Sequence, residues 1–198
     1  MYRQFGKRTI DLILAVLGLV LLAPVIIAGL LVAWADTRTN PVFIHRRPGL
    51  RAQPFALIKL RTMSGQSDSS GRTLSNIERT SAIGRWLRRY SIDELPQLIN
   101  VILGQLSLVG PRPLEMRYLP HYSPQQARRH EVRPGITGLA QVTGRNSLNW
   151  EQKFELDVEY VDQHSLALDS RILWLTIRRT LSGAGVNASD SSTMDPFA

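Results

Sequence analysis

Cysteine is absent from this chain of 198 residues, which excludes disulfides, thiolate nucleophiles and cysteine-based zinc sites. Histidine is scarce, and its spacings include neither H-x-x-x-H nor H-E-x-x-H, so no histidine metal centre is predicted. Aromatic residues make up 7% of the chain and are not interleaved with basic residues as a base-stacking surface would require. We therefore expect no nucleic-acid partner.

Acidic residues are also few, 16 against 24 lysines and arginines, so the formal net charge is +8. Such a charge favours an anionic partner, and charge alone leaves nucleic acid, a phosphorylated small molecule and anionic lipid open. The length fits one ordinary domain with a core.

One long apolar run is present: residues 12–35 read "LILAVLGLVLLAPVIIAGLLVAWA" without a charge. A helix of about 24 residues is long enough to cross a hydrocarbon core of about 30 Å. The run is too long for a cleavable signal peptide. Pro24 lies near its middle and predicts two half-helices joined by a bend.

Basic residues flank this run on both sides, so the positive-inside bias draws both ends toward the cytoplasm. A helix that enters, bends at Pro24 and returns satisfies that bias, whereas a kinked spanning helix does not. From the residues alone both topologies stay open. The flanking residues are Arg3, Lys7 and Arg8 before the run, and Arg38, Arg46, Arg47 and Arg51 after it.

The rest of the chain predicts an α+β fold that is mostly helical. "VFIHRR" and "QPFALIKLR", separated by "PGLRA", are typical of a small β-hairpin. Apolar periodicity predicts amphipathic helices, the last of them suited equally to a core or to a membrane interface. The predicted helices cover residues 79–90, 149–163 and 168–181; the predicted regions are a re-entrant membrane helix (1–36), a catalytic domain (37–182) and a flexible tail (183–198).

Two adjacent acids stand out in "SIDELPQLIN", which begins at Ser91. Ser91 and Glu94 fit a capping box, although Pro96 equally suits a helix that starts later with Asp93 as its cap. Either arrangement places both acids at a helix N-terminus, where the ionised form is favoured. A purely structural capping role would also explain them.

The basic surroundings of the acids suggest chemistry as well. An ionised carboxylate can attack phosphorus, and a neighbouring one can hold Mg²⁺ against a diphosphate. Arginines can bind the remaining phosphate oxygens, bidentately where geometry permits. The set would suit phosphoryl transfer between a soluble diphosphate and a membrane-held phosphate.

Four segments together resemble one family. "FALIKLRTM", "RRYSIDELPQLINVILGQLSLVGPRPL", "VRPGITGLAQVTGRN" and "WEQKFELDVEYVDQHSLALDSRIL" look like the bacterial sugar transferases, the monotopic phosphoglycosyl transferases, in their minimal single-domain form. The resemblance implies transfer of a phosphosugar from a UDP-sugar to undecaprenyl phosphate at the cytoplasmic face of the bacterial inner membrane, releasing UMP. A UDP-N-acetylated amino sugar is the first expectation, and the product would begin membrane-linked glycan assembly.

The resemblance also implies roles for single residues. Asp93 would be the nucleophile that forms a covalent phosphosugar intermediate, and Glu94 would help to hold Mg²⁺. The remaining matching positions are expected to bind phosphate or substrate: Arg88, Arg112 and Arg145, and with less defined roles Lys59, Gln141, Asn146 and Asp157.

The family pattern includes a re-entrant membrane helix bent at a Ser-Pro pair, and this chain has Ala23-Pro24 instead. Alanine lacks the hydroxyl that would help to satisfy carbonyls freed by the bend. With the flanking charges, the resemblance nonetheless favours the re-entrant form. The alternatives are direct attack by the lipid phosphate and a noncatalytic protein that binds anionic lipid; both a monomer and a homo-oligomer stay open.

Overall fold

The computed structural model describes residues 2–65, 72, 74–144, 147–182 and 197. A short π-helical turn leads into the long helix α1, and two pairs of short strands are surrounded by seven further helices. The helices are α1 (Lys7–Thr37), α2 (Asn76–Arg79), α3 (Ala82–Arg89), α4 (Gln97–Ile102), α5 (Pro124–Ala127), α6 (Leu139–Thr143), α7 (Trp150–Gln163) and α8 (Leu166–Ser182); the strands are β1 (Val42–Pro48), β2 (Pro54–Leu60), β3 (Ser107–Val109) and β4 (Gly135–Thr137).

Helix α1 contains Pro24 and exposes most of its large apolar side chains. Among the described residues it is the one helix long and apolar enough to cross a membrane. Polar contacts join both of its ends to the rest of the molecule. Arg8 donates hydrogen bonds to the carbonyl groups of Val101 and Ile102, and Asp36 accepts one from Ser81.

Both halves of α1 also contribute to the core. Ala15 packs in a cluster with β2 and α4, whereas Ala33 packs in a second cluster with Leu60 and Leu87. Gly29 allows close contact there, since a Cβ atom at Gly29 would lie 2.8 Å from Leu60 Cδ1. Both halves of the long helix are therefore packed against the domain, and α1 is not a detached anchor.

The predicted β-hairpin is confirmed: β1 and β2 pair antiparallel. On β2, alternation places Phe55, Leu57 and Lys59 on one face, and the first two are buried. The side chain of Lys59 therefore points toward the interior. A lysine on an edge strand could equally have pointed into solvent.

A second, parallel pair joins β3 to β4. Gly110 N–H donates to the Thr137 carbonyl and Gly135 N–H to the Pro111 carbonyl, so the two chain segments touch backbone to backbone. A Cβ atom at Gly135 would lie 2.1 Å from Gly110 N. This glycine thus permits close packing of the two backbones.

The predicted amphipathic helices are confirmed as α7 and α8, while the helix predicted over residues 79–90 is interrupted at Thr80 and Ser81, where the Ser81 hydroxyl caps the new helix α3. Helix α8 leaves Trp174, Ile177 and Leu181 exposed. The tail predicted over residues 183–198 lies, except for residue 197, outside the described residues.

Candidate active site

A cavity of about 730 Å³ opens between α1, β2, α6, α7 and α8. Its lining combines charged side chains with apolar ones, which include side chains of α1 and α8. The structure brings together all the sequence-predicted site residues that it describes: Lys59, Arg88, Asp93, Glu94, Arg112, Gln141 and Asp157. Arg145 and Asn146 lie outside the described residues, and Ala23 and Pro24 lie in the middle of α1.

The acidic pair lies in a short 3-10 turn, Ile92–Glu94, just before α4. Both predicted capping arrangements are wrong. Ser91 adopts a left-handed conformation (φ 54°) and makes no side-chain cap, and α4 begins after Pro96, likewise without one. Backbone carbonyls satisfy the donors instead: Glu94 N–H donates to Ser91, and Leu95 N–H to Ile92.

Burial, more than a helix terminus, controls the charge of Asp93, which is 4% exposed. Burial and the neighbouring charge of Glu94 raise the pKa of Asp93 to about 6, although Lys59, Arg88 and Arg112 act in the opposite direction. A pKa near 6 keeps the carboxylate mainly ionised at neutral pH. It also makes the group a better proton acceptor than an ordinary aspartate, as is common at functional sites.

Two cations approach the acids from the interior. Lys59 comes from the inner face of β2, and burial lowers its pKa while Glu94 and Asp93 raise it. Arg88, at the end of α3, donates from Nε to the Thr62 hydroxyl at 2.8 Å, which fixes the guanidinium. Thr62 was not predicted from the sequence, where nothing distinguishes it from other loop threonines.

The Arg112 guanidinium faces Glu94 with two nitrogens. Nη2 lies 2.6 Å from Oε1, and Nη1 lies 3.5 Å from Oε2. The pair is open to solvent on the arginine side, since the Arg112 side chain is 48% exposed. Glu94 raises the pKa of Arg112 further above its usual value. A solvent-facing fork of this kind can also bind phosphate.

A second arginine–carboxylate pair lies behind the first. Arg129 donates to Asp157 from Nε (3.1 Å) and Nη2 (2.6 Å), and both side chains are at most 5% exposed. Arg129 Nη2 also donates to the main-chain carbonyl of Arg112 at 2.7 Å, and Nη1 donates to the Tyr122 hydroxyl. Asp157 therefore acts on the site through Arg129.

Arg129 was not identified from the sequence. It is the second of two adjacent arginines in "ARRHE", outside the segments that carry the family resemblance. The charge pattern contains no signal to separate it from Arg128, which pairs with Asp162 and Glu131 at the surface. Only the fold shows that one of the two is buried.

Comparison with known proteins supports the family resemblance that the sequence suggested. The sequence model of the bacterial sugar transferase family matches residues 2–183. "Uncharacterized sugar transferase EpsL" of Bacillus subtilis (strain 168) is 49% identical over 191 residues, covering 96% of this chain and 95% of EpsL. The "UDP-glucose:undecaprenyl-phosphate glucose-1-phosphate transferase" of Caulobacter vibrioides is 37% identical, covering 89% of this chain and 70% of that protein.

A further relative has a different sugar in its name. The "UDP-N-acetylgalactosamine-undecaprenyl-phosphate N-acetylgalactosaminephosphotransferase" of Aeromonas hydrophila is 33% identical, covering 91% of this chain and 45% of that protein. The fold places a charged cavity beside a long apolar helix, whose length and composition suggest a membrane location. The chain belongs to the bacterial sugar transferase family, and the predictions of an α+β fold and of an enzyme are confirmed.

Proposed function

We propose that this enzyme transfers a phosphosugar from a UDP-sugar to undecaprenyl phosphate and releases UMP. The observation that carries the proposal is the buried carboxylate of Asp93, which faces a cavity shared with Lys59, Arg88 and Arg112. Three cations around one nucleophilic oxygen suit a substrate with two phosphates. The donor and acceptor named for the relatives support the same reaction class.

The proposed route has two displacements at one phosphorus. An oxygen of Asp93 attacks the phosphorus of the sugar-bearing phosphate. The bond from this phosphorus to the oxygen that bridges the two phosphates breaks, and UMP leaves with the electron pair of that bond. A phosphate oxygen of undecaprenyl phosphate then attacks the same phosphorus and the aspartate carboxylate leaves. The products are undecaprenyl diphosphosugar and the free enzyme, so a poor single transfer becomes two easier steps.

The carboxylate pair fits a magnesium ion. No group of three or more acidic or histidine side chains is assembled for a metal within the described residues, but Mg²⁺ is usually held by one or two carboxylates together with substrate phosphates. The charge of Glu94 disfavours ionisation of Asp93, and a cation there would relieve that repulsion. When bound, the ion would neutralise charge on the diphosphate and its leaving group.

Glu94 would hold this ion. Since its carboxylate faces Arg112, binding of the metal and the donor would replace one ion pair by two: Mg²⁺ on Glu94, and phosphate on Arg112. An exposed ion pair contributes little to stability, so little is lost in the exchange.

The contacts of α1 support the re-entrant topology, and the basic residues that flank α1 favour the cytoplasmic face. Arg8 and Asp36 both bind residues of the same domain, yet in a straight helix they would be about 42 Å apart, more than the apolar thickness of a bilayer. A spanning helix would carry one end to the opposite side. The exposed apolar residues of α8 would then rest in the interface.

For the sugar, we propose an N-acetylated amino sugar as the first donor to test. The relatives' names include both glucose and N-acetylgalactosamine, so a panel of UDP-sugars is required. UMP release across that panel identifies the donor.

The deciding experiment omits the lipid acceptor. Purified enzyme with Mg²⁺ and UDP-sugar labelled in the sugar and the β-phosphate should release UMP once per active site and retain the label on the protein. Asp93→Asn should do neither while still binding membranes. UMP release only after undecaprenyl phosphate is added, with no labelled protein, would support direct attack by the lipid phosphate instead.

A further inference from the structure

The side chain of Gln141 is the unusual polar group of the cavity. Its amide oxygen and nitrogen are both buried, and neither has a hydrogen-bond partner within the part of the chain that the structure describes. Leaving a buried amide unsatisfied is unfavourable, so such groups normally have a protein, water or ligand partner. Gln141 lines the same cavity as Asp93.

The surroundings fix the position of Gln141 but give its side-chain amide no hydrogen-bond partner. Arg179 Nη1 donates to the Gln141 main-chain carbonyl at 3.3 Å, which fixes the backbone. The nearby hydroxyls are engaged with each other: those of Thr137 and Thr176 lie 2.7 Å apart, and Thr176 also donates to the Ile172 carbonyl.

The amide oxygen also lies close above Gly138, where a Cβ atom would be 2.7 Å from it. The glycine thus leaves room for the amide to lie against the main chain. The backbone contact and the space over Gly138 keep the acceptor and the donor of the amide together in the cavity wall, where both lack a partner among the described residues.

We propose that Gln141 binds the donor substrate through a complementary pair, an N–H donor beside a carbonyl acceptor. This inference rests on the proposed function and assigns one side chain to donor recognition. A primary amide matches such a group with two hydrogen bonds in one plane, just as glutamine reads a base edge. In the proposed function the positively charged residues of the site bind phosphate, so they do not recognise this part of the donor.

A UDP-sugar can offer this chemistry in two places. The uracil ring has an imide N–H between two carbonyl groups, and an N-acetylated sugar has an acetamido N–H and carbonyl. UDP-glucose contains only the first, UDP-N-acetylglucosamine contains both, and UMP contains the uracil without the transferred hexose. Comparison of these three ligands distinguishes the two sources.

The test uses two variants of the full-length enzyme and a matched control. Gln141→Leu keeps similar volume and removes both polar atoms, and Gln141→Glu keeps the shape but loses the donor. Gln163→Leu is the control, because it makes the same glutamine-to-leucine substitution at an exposed position of α7. Because Gln141→Leu removes unsatisfied buried atoms, its unfolding temperature should equal or exceed that of the wild type.

If Gln141 reads uracil, Gln141→Leu should raise the apparent KM about tenfold for both UDP-sugars and weaken UMP binding, measured by saturation-transfer NMR, by a similar factor. If it reads the acetamido group, only UDP-N-acetylglucosamine should be affected, by about the same factor. Gln141→Glu should follow the same pattern, and Gln163→Leu should match the wild type for all three ligands.

Equal KM values and equal UMP binding for wild type and Gln141→Leu would overturn this assignment, while turnover by the wild type would leave the proposed function intact. A wild-type protein that releases UMP from neither sugar nor any other UDP-sugar would contradict the proposed function itself. The two failures are therefore distinguishable.

Discussion

Two arginine–carboxylate pairs lie one behind the other beside the cavity, and their surroundings differ. Arg112 meets Glu94 with half of its side chain in solvent, whereas Arg129 and Asp157 are almost completely buried. An exposed pair is weak and can exchange partners. A buried pair is costly to assemble, and removing one member leaves an uncompensated charge.

The two arginine–carboxylate pairs therefore have different roles, although their chemistry is the same. The outer pair can release its arginine to a phosphate, while the inner pair fixes the main chain from which that arginine projects. Chemistry and support are thus assigned to two different arginines. A mutation in the inner pair should therefore lower mainly stability, and a mutation in the outer pair should lower mainly activity.

The largest expected effect is on stability. Arg129→Met should lower the free energy of unfolding by about 3–5 kcal/mol, because Asp157 loses its buried counter-charge. Urea unfolding of the detergent-solubilised enzyme measures this. Arg112→Met is the matched exchange and should cost less than about 1 kcal/mol. Equal losses for the two variants would remove the distinction between the pairs.

The second effect concerns activity at the outer pair. Arg112→Met should lower the rate of UMP release about 10²–10³-fold, the usual cost of losing a donor to developing phosphate charge. Arg112→Lys keeps the charge but loses the forked pair of nitrogens. Its rate of UMP release should therefore fall between the rates of the wild type and of Arg112→Met. The rate is measured at a saturating UDP-sugar concentration. A rate for Arg112→Met close to that of the wild type would show that the outer pair has no part in the reaction.

The smallest effect is on pH dependence. Burial and Glu94 favour the neutral form of Asp93, so labelling of the enzyme by UDP-sugar should decline as the pH falls through about 6. Lys59 favours the charged form, so Lys59→Met should move this decline to higher pH, whatever its effect on the maximum rate. A decline near pH 4, as for an ordinary aspartate, would mean that nearby cations fully offset the burial of Asp93 in the working enzyme.

Much of the fold could be predicted because local patterns dominate it. The stripe along α7 and the turn between β1 and β2 are periodic or punctuated signals. The parallel pair of β3 and β4 was missed because three-residue strands carry no measurable alternation, and their pairing joins residues 107–109 to 135–137. Such contacts depend on the whole topology.

The site shows the same division. Asp93 and Glu94 could be found from sequence because two adjacent acids in a basic chain are conspicuous, yet their local structure was mispredicted: the backbone turn at Ser91 satisfies the donors that a cap would serve. Arg129 could not be found, because burial decides its role and no short motif encodes burial.

The hydrogen bond from Arg129 to the Arg112 carbonyl has a consequence for evolution and engineering. It binds an oxygen that every amino acid possesses, so the support beneath position 112 does not depend on which side chain stands there. Descendants and designed libraries can therefore vary residue 112 without first repairing the scaffold. Positions 129 and 157, in contrast, are expected to change only together.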